Sequence, residues 1–360
     1  MNDSLVIRNI TEEDVPQLVP LVHRILKETD AQKAPYFNEQ IWRWQYQTPG
    51  LESLVVAVED EGELVGSYHY VSRDMVFDGQ VRKMVLMQDL GVLSDYRRRG
   101  LFLRMADHCN SQLDDLQWDV TYSLPNHRSF PGLINHLGYA YVDNVAVYVR
   151  PLLPGKILAE RLPLATLWDG LGHLGMLPYE VLFPLPQIDA DLRIHTIECF
   201  DDSVNSLSWE FVSRAGMGCW RTDVFLNWRF LDKPTQEYTV QGASRGDDLL
   251  AYIVTRPAEL FGTETLLIVD MGCRDGEDAA LNSLLGAALQ AARVRGIAAA
   301  VTMGQHPFFG QLWQMGFLSV PDRINPRPLR FIAQRHSDRV DETIYQAEKW
   351  FITLADWDVL

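Results

Sequence analysis

Met87-Gln88-Asp89-Leu90-Gly91-Val92-Leu93-Ser94-Asp95-Tyr96-Arg97-Arg98-Arg99-Gly100-Leu101-Phe102 is the stretch on which the reading of this chain turns. An apolar run ends at Val92, a short polar turn follows, and an Arg/Gly loop opens a helix over residues 101–113. Backbone N–H groups at a helix N-terminus carry partial positive charge and point outward, which suits phosphate oxygens. Glycine at 100 lets the backbone approach a pyrophosphate closely, and the flanking arginines add charge. A solvated surface patch is the plainer reading of an arginine run; the strand–glycine–helix setting favours anion binding.

Outward from this loop the order of elements is regular. Thr11 and Asp14 form a capping-box pair before a helix whose apolar face carries Val15, Leu18, Val19, Val22 and Ile25. Residues 54–58 and 64–71 read as strands joined across Gly62, and Asp78-Gly79 marks a second hairpin into the strand that ends at Val92. Strand 119–124, a short helix, Gly138-Tyr139 and a closing strand to Arg150 complete the first part. The fold class is therefore α/β (α+β), a mixed sheet flanked by helices.

The same pattern recurs downstream. Trp44-Gln45-Tyr46 is echoed by Trp228-Arg229-Phe230 (228 − 44 = 184), Asp89 by Asp270 (270 − 89 = 181) and Gly138-Tyr139 by Gly316-Phe317 (316 − 138 = 178). Offsets this steady indicate an internal repeat; two unrelated α/β domains with shared strand–helix grammar are the alternative. The expected organisation is residues 1–150, a proline-rich bridge 151–195, a second repeat 196–330 and a tail 331–360 packed on the body. Trp228 and Arg229 read as structural, with a place in a cleft wall as the other reading.

The composition is that of a soluble globular protein, 47% hydrophobic and 22% charged. A net charge of −16 speaks against a nucleic-acid partner. No apolar run reaches the ~20 residues of a membrane span, and the first residues lack signal-peptide character. The four cysteines have no metal-binding spacing. A cytoplasmic protein, monomer or homodimer, without metal or membrane partner, is expected.

With Arg97-x-x-Gly100-x-Phe102 after a strand, residues 5–150 resemble the GNAT acyltransferase superfamily, and the whole chain resembles tandem GNAT proteins with one degenerate repeat. Phe102 stands where the family usually has a small residue. The resemblance implies acetyl-CoA as cofactor and transfer of an acetyl group to a primary amine of a polar small molecule, an amino sugar or similar metabolite. It implies that the N–H groups from Arg98 through Arg99, Gly100 and Leu101 to Phe102 hold the pyrophosphate, with Arg97 beside them. Leu90, Gly91 and Val92 would line the pantetheine arm, with the Leu90 N–H on the thioester carbonyl, and Asn126 and Ser129 would lie near the thiol. Of Gln88 and Asp89, which strand alternation sends to opposite faces, Asp89 is the better candidate base, a buried structural carboxylate being the other reading. The family's tyrosine acid falls at Ile134, leaving Tyr122, His127 and Tyr139 as substitutes. In some tandem relatives the terminal carboxylate, here Leu360, reaches the cleft. Arg274-Asp275-Gly276-Glu277 in the second repeat is too acidic for a pyrophosphate.

Two rival readings follow from the same residues. Gly242-Ala243-Ser244-Arg245-Gly246 has the Gly-x-Ser-x-Gly form of serine hydrolases but lies between two strands, where a nucleophile elbow needs a helix to follow. A non-catalytic module that senses CoA or binds a partner is the other alternative.

Overall fold

The computed structural model describes residues 5–29, 33–153, 156, 179–235, 237–260, 262–325 and 328–357. The first half runs β1 (Leu5–Asn9), α1 (Val15–Thr29), α2 (Glu39–Tyr46), β2 (Ser53–Asp60), β3 (Glu63–Phe77) and β4 (Gln80–Val92). It continues through α3 (Leu101–Asn110), β5 (Val120–Ser123), α4 (Phe130–His136), β6 (Ala140–Asn144) and β7 (Val147–Pro151). The second half repeats the order with β8 (Arg193–Thr196), α5 (Ser203–Ala215), β9 (Met217–Cys219), α6 (Asp223–Leu226), β10 (Thr239–Arg245), β11 (Asp248–Leu260) and β12 (Thr263–Cys273). There follow α7 (Asp278–Val294), β13 (Ala299–Gln305), β14 (Leu318–Ser319), β15 (Arg330–Arg335) and β16 (Trp350–Thr353).

Local chemistry explains the starts and turns. The Asp14 carboxylate accepts the Thr11 N–H at 2.7 Å, capping the helical turn that leads into α1. The β3–β4 hairpin turns on Asp78 and Gly79, both at positive φ. Ser244 lies on β10, and the next element is strand β11, turned at Gly246 with φ 64°. No helix follows Ser244, so the hydrolase elbow is absent there.

All the strands belong to one sheet. In the first half the hydrogen-bonded order is β1-β2-β3-β4-β5-β15-β6, and in the second it is β8-β10-β11-β12-β13-β7-β14. Each half is thus completed by a strand from the other. β7 follows β6 in sequence yet pairs with β13, from Met303↔Val147 to Ala299↔Pro151. β15 lies between β5 and β6, pairing Ala333 with Tyr122 and with Ala140. The sequence-drawn limits at 150 and 330 therefore fall inside the exchanged strands. Nor is the tail a simple covering: β15 is internal, and β16 pairs with β9 and β13, joining the two half-sheets. Of the bridge, residues 154–155 and 157–178 lie outside the described residues.

Three apolar layers cover the sheet. One joins the halves and includes Trp42, Tyr46, Met84, Leu86, Tyr122, Trp228 and Trp350. A second packs α5 and α7 on the second half, and a third packs α3 and α4 on the first. At the centre the repeat shows its symmetry. Trp44 and Trp228 stack with centroids 4.8 Å apart and planes 15° from parallel. Each indole N–H donates to the other residue's carbonyl, at 2.9 and 2.8 Å. Trp228 and Arg229 are both buried, in agreement with the structural reading.

Trp44→Ala is expected to destabilise the protein by about 3–5 kcal/mol, the usual cost of emptying a buried aromatic site. Because the two rings satisfy each other, Trp44→Ala/Trp228→Ala should cost clearly less than the sum of the single changes. Urea unfolding of the four proteins measures this, and strict additivity would show that the rings do not act as a pair.

Candidate active site

The pairing of β4 with parallel β5 covers only Met84↔Val120, Val85↔Thr121 and Leu86↔Tyr122. Beyond it β4 runs on to Val92 while β5 stops at Ser123, whose hydroxyl donates to the Met87 carbonyl at 2.9 Å. The register between the two strands ends there, which leaves the edge of β4 from Gln88 to Val92 open on that side. On the other side of β4 the ladder with β3 is interrupted, since Gln88 opposes His69 but Gly91 already opposes Ser67. Asp89 takes up the irregularity at φ 50°. Gly91 has a steric reason, because a Cβ there would come within 2.5 Å of Ile25 on α1.

The loop above this opening is built by two left-handed residues, Arg98 at φ 63° and Gly100 at φ 72°. Nothing crowds Gly100, so its backbone angle rather than packing demands glycine. Gly100 is the N-cap of α3 and offers no capping side chain. The first N–H groups of that helix have no intrahelical acceptor and are available to an external anion. The three arginines differ in role. Arg97, itself exposed, braces the loop: its Nε donates to the Val92 carbonyl at 3.2 Å and its Nη2 to the Glu28 carboxylate. Arg99 lies over the Tyr96 ring and donates to the Asp95 carbonyl at 2.8 Å. Arg98 is exposed.

Leu101 is buried in the core, and its contribution to an anion site is confined to its N–H. Phe102 packs at 5.8 Å from the Tyr68 ring and against Gly132 of α4. Asn126 and Ser129 sit together on the turn after β5. The Asn126 Oδ1 accepts the N–H groups of Arg128 at 2.9 Å and Ser129 at 3.1 Å, which shapes the entry to α4.

The four candidate catalytic residues do not converge. Asp89 is buried on the side of α1 and α2, where its Oδ1 accepts from Lys33 Nζ at 2.6 Å and its Oδ2 from the Tyr46 hydroxyl at 2.8 Å. The positive φ at Asp89 breaks the simple alternation expected of Gln88 and Asp89. Tyr122 is packed against Phe331 and Trp350, and its hydroxyl donates to the Asp356 carbonyl at 2.7 Å. Burial drives its pKa well up, so its hydroxyl is committed to joining the halves. Tyr139 is buried with Tyr70 and Met87 in the α3/α4 layer, and burial raises its pKa too. His127 is exposed on the loop after β5.

Around Asp89 stand residues that the sequence reading passed over: Lys33, Trp42, Tyr46 and His69. The His69 Nδ1 lies 2.8 Å from the Asp89 carbonyl, and its Nε2 lies 3.2 Å from the Trp42 indole nitrogen. An indole can only donate, so Nε2 is the acceptor and Nδ1 carries the proton. Trp42 and Tyr46 lie one turn apart on α2, a spacing that a search for helical periodicity would find; Lys33 and His69 carry no such signal. Terminal residues 358–360, including the Leu360 carboxylate, lie outside the described residues.

The second half carries the same frame closed from within. Asp270, the counterpart of Asp89, meets Arg221 at 3.3 Å, the Tyr252 hydroxyl at 3.0 Å and the Thr353 hydroxyl at 2.7 Å. Arg221 also pairs with Asp356 at 2.7 Å, and Arg221 and Asp270 are wholly inaccessible. In the loop before α7, the Asp275 N–H donates to the Glu210 carboxylate at 3.1 Å. An internal carboxylate thus holds an N–H of the kind that an anion would need. His306 and Phe211 stack at 4.1 Å at the end of β13.

Among the described residues no cluster of His, Cys, Asp and Glu could hold a metal ion, and no helix is long and apolar enough to cross a membrane.

Comparison with known proteins agrees with this geometry. Residues 6–148 match the family model described as an acetyltransferase (GNAT) domain. The first half of the chain is therefore a GNAT domain, set in a tandem GNAT architecture, and the protein is an acyltransferase. No curated protein matches the chain by sequence. Among solved structures it is similar to a tandem GNAT protein from the clavulanic acid biosynthesis pathway, at 14% identity and TM-score 0.56, over 92% of this chain and 99% of the other. It is also similar to a GCN5-related N-acetyltransferase from Anabaena variabilis, at 12% identity and TM-score 0.65, over 92% and 73%. A third is the N-myristoyltransferase of Saccharomyces cerevisiae with bound myristoyl-CoA, at 12% identity and TM-score 0.57, over 100% and 90%.

His69, His306 and His336 each have a pKa lowered to about 4, first of all by burial, and are neutral in the folded protein. The unfolded chain takes up these protons near pH 6.5, so stability is full above that value and declines as pH falls from about 6.5 towards 4. Melting temperature recorded across that range should fall, and His69→Gln should flatten part of the decline. An unchanged slope in the variant would mean that His69 is charged in the fold.

Proposed function

We propose that the first half binds acetyl-CoA and transfers its acetyl group to a primary amine on a polar small molecule, an amino sugar or similar metabolite. The observation that carries this reading is the contrast between two loops in one chain: Gly100 follows three arginines at the start of α3, whereas the loop into α7 carries Asp275, Glu277 and Asp278 and gives its Asp275 N–H to Glu210. The first loop is fitted to an external anion and the second is closed by an internal one.

In this reading the N–H groups from Arg98 to Phe102 hold the pyrophosphate, with the exposed Arg98 adding charge. Leu90, Gly91 and Val92 edge the opening along which the pantetheine lies, and Asn126 and Ser129 stand on its far rim. Leu90 has no register partner on β3, so its N–H is the donor suited to a carbonyl oxygen. The thioester supplies an activated acyl group. Asp89, with both oxygens engaged, acts with Lys33 and Tyr46 to hold the bulge and the acceptor side in place. The excess negative charge of the protein favours the approach of a cationic amine.

Titration calorimetry with acetyl-CoA should give one site per chain in the wild type and none in Gly100→Glu, which adds both strain and negative charge at the loop. Two sites would show that the second loop also opens; no binding by folded wild type would remove the reading. On an amine acceptor found by screening, Asp89→Ala should lower kcat/KM by at least about tenfold, the effect of losing one well-placed positioning group. Unaltered turnover would exclude Asp89 from the site.

A further inference from the structure

On the opposite end of the second half, away from both loops, the side chain of Arg150 on β7 is buried to 3% exposure. Its Nη2 donates to the Phe183 carbonyl at 2.9 Å, while its Nε and Nη1 have no hydrogen-bond partner. The charge faces the Tyr179 ring at 5.9 Å, a weak cation–π contact. Of the buried arginines Arg73, Arg150, Arg221 and Arg229, Arg221 is compensated by carboxylates on two sides. Among the described residues Arg150 has no ion-pair partner. Burial accordingly pulls its pKa down from the ordinary arginine value.

Arg150 is also part of the wall of a cavity of about 300 Å³. Tyr179, Phe183 and Leu185 supply an apolar and aromatic lining, and Arg293, near the end of α7, brings a second guanidinium. Among the described lining residues the one carboxylate, Glu180, is held by Arg293 at 2.6 Å. The cavity therefore carries a net positive charge within a chain whose total is −16. A buried, unpaired guanidinium is costly, and a bound anion is the ordinary way to offset that cost.

We infer that this cavity is a binding site for a small anionic ligand, whose carboxylate or phosphate group meets Arg150 and whose apolar part lies on Tyr179 and Phe183. The site is independent of the acyl-CoA loop and of the acceptor proposed above.

The test uses the full chain in the Gly100→Glu background, which keeps anions from the first-half loop. Inorganic phosphate and benzoate serve as probes, read by calorimetry and by the shift in melting temperature. Either probe should bind once per chain in the millimolar range or tighter, and Arg150→Gln should weaken it by at least about tenfold, the effect of removing one charge-assisted hydrogen-bond partner. Arg293→Gln, which removes the second and partly exposed guanidinium, should weaken it less. Phosphate binding without benzoate binding would assign the site to phosphate groups, and the reverse to carboxylates. Equal responses of parent and Arg150→Gln, or no response of the parent to either probe, would overturn the proposal. If Arg150→Gln does not fold, undiminished binding by Arg293→Gln and by Tyr179→Ala together would overturn it as well.

Discussion

A sheet is stable only when its inner strands have neighbours on both sides, and here each half meets that requirement with a strand from the other. β15 separates β5 from β6, and β7 separates β13 from β14. Without the exchange, two interior edges would be left with open rows of N–H and C=O groups. The halves stand to one another as the protomers of a strand-exchanged dimer joined into one chain. The Trp44–Trp228 stack lies at the middle of this arrangement, and the reciprocal indole bonds reproduce its twofold character at the scale of single atoms.

Within that shared frame the halves diverge in what they leave open. Both put an aspartate on the fourth strand, near an interruption of the ladder with the third. In the first half a lysine and a tyrosine hold the carboxylate beside a loop with uncapped N–H groups. In the second half an arginine, a tyrosine and a threonine seal it into the core, and Glu210 takes the loop's N–H. The terminal turn takes part in this sealing, because Asp356 binds Arg221 and its carbonyl accepts from Tyr122. A position that in one copy is held by Lys33 and Tyr46 has become a structural keystone in the other.

Much of this was legible in the residues. Periodicity and turn chemistry located the strands around the Gly79 and Gly246 turns, and three landmarks at nearly constant spacing exposed the repeat. Gly138 and Gly316, one such pair, both occupy the left-handed region, with φ 75° and 78°. The pairing of strands was not legible, because a strand's alternation says that it lies in a sheet and not beside which partner. The stretch up to Arg150 read as one closing strand, whereas it forms β6 and β7, which pair with β15 and β13. For the same reason Tyr122 looked like a site residue: nothing local tells that its hydroxyl meets a carbonyl 234 positions away. Lys33 escaped notice because a single lysine in a loop has no pattern. The arginine run was visible, but its division into a brace to Glu28, a left-handed residue and a ring-stacked one depends on the fold around it.

The exchange also has a consequence for how the chain comes into being. The first half cannot close its sheet when its own residues have left the ribosome, since β15 begins only at Arg330. Some 180 further residues must be synthesised after β7, which at about 5–20 residues per second takes roughly 10–40 s. During that interval the facing edges of β5 and β6 lack their shared neighbour, so the nascent protein must be kept from pairing with other chains until its last tenth has been made.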